Sequence, residues 1–517
     1  MLAKIYSASP LGVSARLIEM EVSHSSGLPR FYLVGLPVHS VMESKDRVDA
    51  ALRHVGARIP LGRITVNLAP ADFPKEGSAL DLPIAICMLA LTGQSPPSRM
   101  KHCLAMGELA LDGSLRPVRG VLPVAAEARK RGIETLIVPE GNGMEASVVE
   151  GLNVYAFRHL QDVLDWLQGG TSIKPVSGGM SVLRVDADAD PPRNGIDFSD
   201  VRGQESVRRA LEVAASGGHN VILIGPPGAG KTMMARAAAT ILPPMNMEEA
   251  IETTKIHSVA GRLEPGQALV TQRPFQAPHH TASYSSLVGG GSVPRPGNIS
   301  LAHNGILFLD ELPEFRRSVL ETLRQPLEDG FVTISRAKVT VTYPSKIMLI
   351  ASMNPSPGGD WYDPDRADGP TYYQMMQYMQ KISGPLLDRI DLHVQADKVE
   401  YQQLVSKEVP ESSKTIRERV VEARNLQYRR FMGIKGVHSN AQMPPGLVQK
   451  ICRISTAGEA VLGKAMQRLK FSARTYTRIL KVSRTIADLD ASEVIHPHHI
   501  AEAIQYRSID RDGWLGQ

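Results

Sequence analysis

The chain has 517 residues, of which 43 % are hydrophobic and 21 % charged, with a net charge of +5. This is ordinary for a soluble globular protein of about three domains. It permits a nucleic-acid partner without demanding one, and with no run of about 18 apolar residues it predicts no membrane span. Residues 1–168 form a first block, with strand-like runs at 64–68 and 135–138 and helix-like runs at 41–54, 82–91 and 121–131. Such alternation predicts an α/β or α+β domain. Residues 169–195 are rich in Gly, Ser, Pro and Asp and read as a linker. A nucleotide core is expected at 196–396. Residues 397–517 follow as a small helical lid, with helices predicted at 411–428, 447–458 and 475–487. No repeat of 20–50 residues is present.

Residues 225–232 read GPPGAGKT and match G-x-x-x-x-G-K-[ST], the phosphate-binding loop. The apolar run 221–224 before it predicts a buried strand, and the Ala-rich run 233–242 after it a helix. The loop therefore falls where free N–H groups and the helix dipole favour an anion. Gly225, Pro226, Pro227, Gly228, Ala229 and Gly230 form the expected cradle, and its glycines let backbone approach phosphate oxygens. Lys231 is expected to reach the β and γ phosphates of ATP, and the Thr232 hydroxyl to hold Mg²⁺.

The rest of the core narrows the chemistry. In GILFLDE (305–311) a second apolar strand delivers Asp310 and Glu311 to its C-terminal edge, where open α/β sheets bind ligands. Asp310 suits Mg²⁺, and Glu311 suits the polarisation of the attacking water. A third apolar strand in IMLIASMN (347–354) ends at Asn354, which suits orienting that water and also begins an Asn-Pro turn. Two readings stand for Arg389 in LLDRID (386–391): a transition-state cation for a neighbouring subunit's ATP, or a local ion pair. Arg474 and Arg478 are four apart on one predicted helix face, from which one of them could reach down to the γ-phosphate.

In this order and on this spacing, GPPGAGKT, LFLDE, ASMN, LLDRID and SARTYTRILK resemble AAA+ ATPases of the magnesium-chelatase-like branch. RPFQAPHHTAS (273–283), VPRPGNISLAHNGILFLDELPEF (293–315) and ISGPLLDRIDLHV (382–394) are similar to the ComM/YifB family, bacterial proteins linked to natural transformation and branch migration of DNA. The resemblance covers nearly the whole chain. It implies Walker A at Lys231 and Thr232, Walker B at Asp310 and Glu311, sensor 1 at Asn354, an arginine finger at Arg389 and sensor 2 at Arg474. A finger acting in trans implies a ring, a hexamer, with ATP between subunits. The rival readings are a magnesium-chelatase motor subunit and an ATP-dependent Ser protease.

PKEGSALDLP (74–83) and GELALDGSLRPVRGVLPVAAEARKRGI (107–133) resemble the Lon protease catalytic domain. Proteolysis there needs a Ser–Lys dyad. Ser78 falls near the serine position, but Leu122 stands where the lysine is expected and cannot take a proton. The expected fold class is thus α/β: a degenerate, non-proteolytic Lon-like domain, a P-loop AAA+ core on a parallel sheet, and a C-terminal α-helical lid. Many relatives carry four cysteines after sensor 1, which suggests zinc; here 354–370 has none, and no zinc is expected. Packing of Trp361, Tyr362, Tyr372 and Tyr373 is expected to hold that segment, or else to leave it mobile. The neighbours His279/His280 and His498/His499 should diverge, and neither pair is assigned a metal.

For a DNA partner, residues 331–343 alternate like a hairpin with Arg336 and Lys338 near its tip. These either grip backbone phosphates in a ring pore or form an ordinary solvated tip. The Gly/Pro-rich segment 255–300, with Lys255, Arg262, Arg273 and Arg295, is a second pore candidate. Three cysteines far apart in sequence and no leader-like start predict free thiols and a cytoplasmic protein.

Overall fold

Residues 2–25 alternate inward apolar and outward polar side chains, the pattern of a sheet with one wet face. In the computed structural model they form an antiparallel hairpin, Leu2–Leu11 with Ser14–Ser25, turning at Gly12 with φ 63°. The structure describes residues 2–178, 196–336, 339–359, 371–399, 401, 410–434, 436–469 and 471–507. The hairpin is central to a seven-stranded sheet, ordered Arg30–Val34, Arg63–Ala69, Ser14–Ser25, Leu2–Leu11, Cys103–Ala105, Thr135–Pro139, Asn153–Phe157. The helix Asp81–Leu91, buried along its whole length, packs on the central hairpin.

A second sheet has five parallel strands, ordered Phe275–Gln276, Ile306–Leu309, Met348–Met353, Val221–Ile224, Leu392–Gln395. The runs Val221–Ile224 and Ile306–Leu309 are wholly apolar because both faces of the sheet are covered. Val221 and Leu223 point into one core with Ala210, Ala214 and Ala238. Ile222 and Ile224 point into another with Leu320, Leu323 and Tyr343. Among the described residues no helix is long and apolar enough to cross a membrane.

The two sheets belong to units that meet at an apolar seam. Leu122, 1 % exposed, packs with Val148 against Met245, Ala250, Ala268 and Leu269 of the second unit. Beside it Glu145 is buried, and its Oε1 accepts from the Leu122 N–H at 2.8 Å and from the Ser258 hydroxyl at 2.5 Å. Burial raises the Glu145 carboxyl above its ordinary range, and those donors only partly offset it.

The lid differs from expectation at one point. Residues 447–458 read as a single helix but form the end of Pro445–Ile451 and the start of Thr456–Leu469. Between them Ile454 bridges Ile495, with Ser455 N–H on Ile495 O at 3.0 Å and Ile495 N–H on Arg453 O at 2.8 Å. A distant strand-like contact outcompetes local helix propensity there. The helices Ser413–Phe431 and Ala473–Leu489 form where periodicity puts them, each started by a serine cap, Ser412 and Ser472. The helix after the phosphate loop is shorter than predicted. It runs Lys231–Ala238 and tightens to a 3₁₀ turn over Ala239–Ile241.

Candidate nucleotide site

The loop 225–232 leaves the C-terminal end of Val221–Ile224 and enters the helix Lys231–Ala238. Gly228 and Gly230 hold φ of 81° and 79°, which side-chain-bearing residues rarely adopt. A Cβ on Gly225 would overlap the Ala396 carbonyl oxygen. The cradle thus excludes side chains and turns backbone inward. Lys231, 9 % exposed, donates from Nζ to Gly225 O at 2.6 Å, Pro226 O at 2.9 Å and Asn354 Oδ1 at 3.0 Å. Burial lowers its pKa, opposed by the charges of Asp310 and Glu311.

Two neighbouring strands complete the edge. Asp310 follows Ile306–Leu309, and its Oδ2 accepts from Thr232 Oγ1 at 2.8 Å. Its Oδ1 accepts from the Ser352 hydroxyl and from the Glu311 N–H at 3.1 Å. A hydroxyl and an anchored carboxylate meeting beside a glycine cradle suit Mg²⁺ bound with a polyphosphate. Glu311 sits at φ 52°, and its Oε2 lies 3.3 Å from His280 Nδ1. Lys231, Thr232, Asp310 and Asn354 are therefore brought together, with Glu311 beside them.

Arg389 and Arg474 lie elsewhere. Val221–Ile224 pairs with Leu392–Gln395 in parallel, so Asp391 sits at the N-terminal edge, with its N–H on Asn220 O at 3.0 Å. A four-residue strand separates the two edges by about 13 Å. Arg389, 9 % exposed, donates from Nη1 to Pro385 O at 2.6 Å and from Nη2 to the Glu328 carboxylate. Arg474 Nη2 stands 3.6 Å from the same carboxylate. Arg478 is held by Asp391 Oδ1 at 2.5 Å and Arg389 O at 3.0 Å. Burial alone would raise the Asp391 carboxyl, but Arg478 and His219 hold it well below the usual carboxylate range. Within one protomer, then, neither Arg474 nor Arg478 stands at the phosphate loop. Both face the sheet edge opposite the loop.

Other expectations shift as well. Arg273 cannot serve a pore. It forks onto Glu249 at 2.9 and 3.1 Å and donates to Pro243 O, Pro244 O and Asn304 O, a buried network that holds the core. Arg295 lies 3.8 Å from Glu76 of the first unit. Arg336 is exposed at the end of the hairpin Phe331–Arg336 with Val339–Pro344; Lys338 lies outside the described residues. Tyr372 and Tyr373 are exposed, with the Tyr373 hydroxyl accepting from Gln377 Nε2 at 2.9 Å, and Trp361 and Tyr362 are outside the described residues. The His279 and His280 rings do not diverge; their centroids are 4.0 Å apart. Asp490, His498 and His499 also cluster, within 4.8 Å. His499 there accepts the His496 N–H on Nδ1, which puts its own proton on Nε2, facing Asp490 Oδ2 at 3.1 Å. That is a helix cap, and it leaves His499 no free lone pair for a metal.

Three groups escaped the sequence reading. Ser352, on Asp310, shares a strand face with Asn354 two residues on, and that period was a usable signal. His280 reads in the sequence as part of an insert near the ring pore and as a poor metal candidate, not as a neighbour of Glu311. Glu328 carried no signal, since nothing local ties it to Arg389, 61 residues away.

The cradle, the two carboxylates and the amide stand at the ends of adjacent parallel strands. Residues 197–404 match the family model described as Magnesium chelatase, subunit ChlI. Residues 20–142 match Subunit ChlI of Mg-chelatase, and 410–507 match Magnesium chelatase, subunit ChlI C-terminal. Competence protein ComM of Haemophilus influenzae is 43 % identical over 511 residues, covering 99 % of this chain and 98 % of that protein. The chain belongs to the ComM/YifB family of magnesium-chelatase-like AAA+ proteins. Uncharacterized protein YifB of Salmonella typhimurium is 42 % identical, over 99 % of this chain and 98 % of its own. A shorter match, 31 % over 154 residues, covers 27 % of this chain and 26 % of Lon protease 2 of Bacillus subtilis. As a family member the chain combines a ChlI-type N-terminal region, a nucleotide core and a helical C-terminal region.

In the N-terminal unit Ser78 donates to the Glu108 carboxylate, and among the described residues no lysine amine is bonded to it. The nearby Lys75 is buried, bonded to Pro70 O and set 4.1 Å over the Phe73 ring. Leu122, at the position expected to hold lysine, is part of the seam. Leu122→Ala should therefore destabilise docking of the units by about 3 kcal/mol. Thermal melting and limited proteolysis read this, and an unchanged melt would remove the seam's importance.

Proposed function

We propose that this chain is an ATP-hydrolysing AAA+ motor that assembles as a ring, a hexamer, and acts on DNA in the cytoplasm. The reading extends to helicase or branch-migration work on recombining DNA during natural transformation. One observation carries the ring. Cradle and arginines occupy opposite edges of one sheet, so a complete site needs two protomers side by side. In that ring 225–232 holds the triphosphate, and Thr232 and Asp310 hold Mg²⁺, which neutralises phosphate charge. Glu311 polarises the attacking water and Asn354 orients it. The next protomer supplies Arg389 and Arg474, whose cations favour charge on the transferring group. Arg336, exposed on its hairpin, is a candidate for sequence-independent contact with DNA phosphates. The competence name of the H. influenzae relative supports the DNA setting.

A magnesium-chelatase motor subunit is the second reading, favoured by the family description of the core. It shares the ATPase site but has no reason to respond to DNA. ATP turnover is therefore to be measured alone and with single-stranded, duplex and forked DNA across a salt series. A rise of several-fold that weakens with salt is the expected result. Turnover indifferent to every DNA at low salt would favour the chelatase reading. An active protease is disfavoured by Leu122, and a casein assay with a Ser78→Ala control tests it.

A further inference from the structure

Arg389 is 9 % exposed, and its Nε is buried with no hydrogen-bond partner among the described residues. Its Nη1 meets a backbone carbonyl, which brings no charge. Among the described residues its one carboxylate contact is Glu328, from the helix Arg324–Asp329. Arg474, from the lid helix Ala473–Leu489, shares that carboxylate. Two arginines from two structural layers thus converge on one anion. Arg478, one turn along the same helix, does not join them, because Asp391 holds it. The Glu328 side chain is 47 % exposed, open to displacement from outside.

We propose that Glu328 stands in for the neighbouring protomer's γ-phosphate: it parks Arg389 and Arg474 together until a nucleotide displaces it. This rests on the trans reading of Arg389 given above and adds its regulation. A carboxylate and a γ-phosphate both offer oxygens to a guanidinium fork, and the phosphate carries more charge. A triphosphate arriving across the interface wins the competition, whereas a diphosphate has nothing to place there. Glu328 therefore makes assembly sensitive to which nucleotide is bound. It also couples core and lid, since releasing the carboxylate frees one arginine in each.

The test is the protein concentration at which rings form, read by mass photometry in Mg²⁺ with a non-hydrolysable ATP analogue, and separately with ADP. Glu328→Gln keeps the shape and removes the charge. It should lower the assembly midpoint by about fivefold in the analogue and leave the ADP midpoint in place. A midpoint unmoved or raised in the analogue would overturn the proposal, as would an equal shift with ADP. Arg389→Ala serves as the control on the underlying reading. Full ATP turnover in that variant sinks the finger itself. Loss of turnover there, with an unmoved Glu328→Gln midpoint, sinks only the clamp. A melt matching the parent's confirms that Glu328→Gln is folded, as its half-exposed side chain leads one to expect.

Discussion

Lys231→Ala and Glu311→Gln are each expected to cut ATP turnover by about a thousandfold, and for different reasons. Lys231 is held by two loop carbonyls and Asn354, already at the mouth of the cradle. Removing it takes away the one side-chain cation within the loop, so nucleotide affinity and turnover should fall together. Glu311→Gln changes no volume and leaves Thr232 and Asp310 intact. It should therefore bind a fluorescent ATP analogue as the parent does while releasing almost no phosphate. Steady-state phosphate release and nucleotide titration separate the two patterns. Parent-like turnover in both variants would remove the ATPase reading.

The local half of this site was legible in the sequence. A phosphate loop is contiguous, and its flanking strand and helix announce themselves by apolar run and composition. Asp310, Glu311 and Asn354 each end an apolar strand, so chain position alone put them at one sheet edge. The strands Val221–Ile224 and Ile306–Leu309 read as unbroken apolar runs because both faces of the sheet are covered. What escaped depends on contacts far apart in the chain. Ile454 leaves its helix for Ile495, and no window of neighbouring residues contains that partner. Arg273 looked like a free cation because its acceptor, Glu249, lies 24 residues upstream. Leu122 showed that a base was missing. Only the packing against Met245 and Leu269 showed that the position had become part of a seam between units. The resemblance implied a finger acting in trans, but not where in the fold it stands. LLDRID and ARTYTR name the arginines, but strand direction decides which edge they serve.

That edge has a consequence that single variants cannot reveal. Arg389→Ala is expected to lose about a thousandfold in turnover, within the range for an arginine finger, while still binding nucleotide, because its own cradle is untouched. Lys231→Ala is equally inactive but keeps its finger. In a ring mixed at random from equal amounts of the two, about one interface in four pairs an intact cradle with an intact Arg389. The mixture should therefore recover turnover that neither variant has. The matched control is Lys231→Ala mixed with Glu311→Gln. Both lesions lie in the cradle half, so no arrangement of those protomers restores a complete interface. Recovery in the first mixture alone is what two half-sites on opposite edges of one sheet require. A first mixture as silent as its components would mean that Arg389 never meets a neighbour's phosphate. Its contacts with Glu328 and Pro385 would then be structural only.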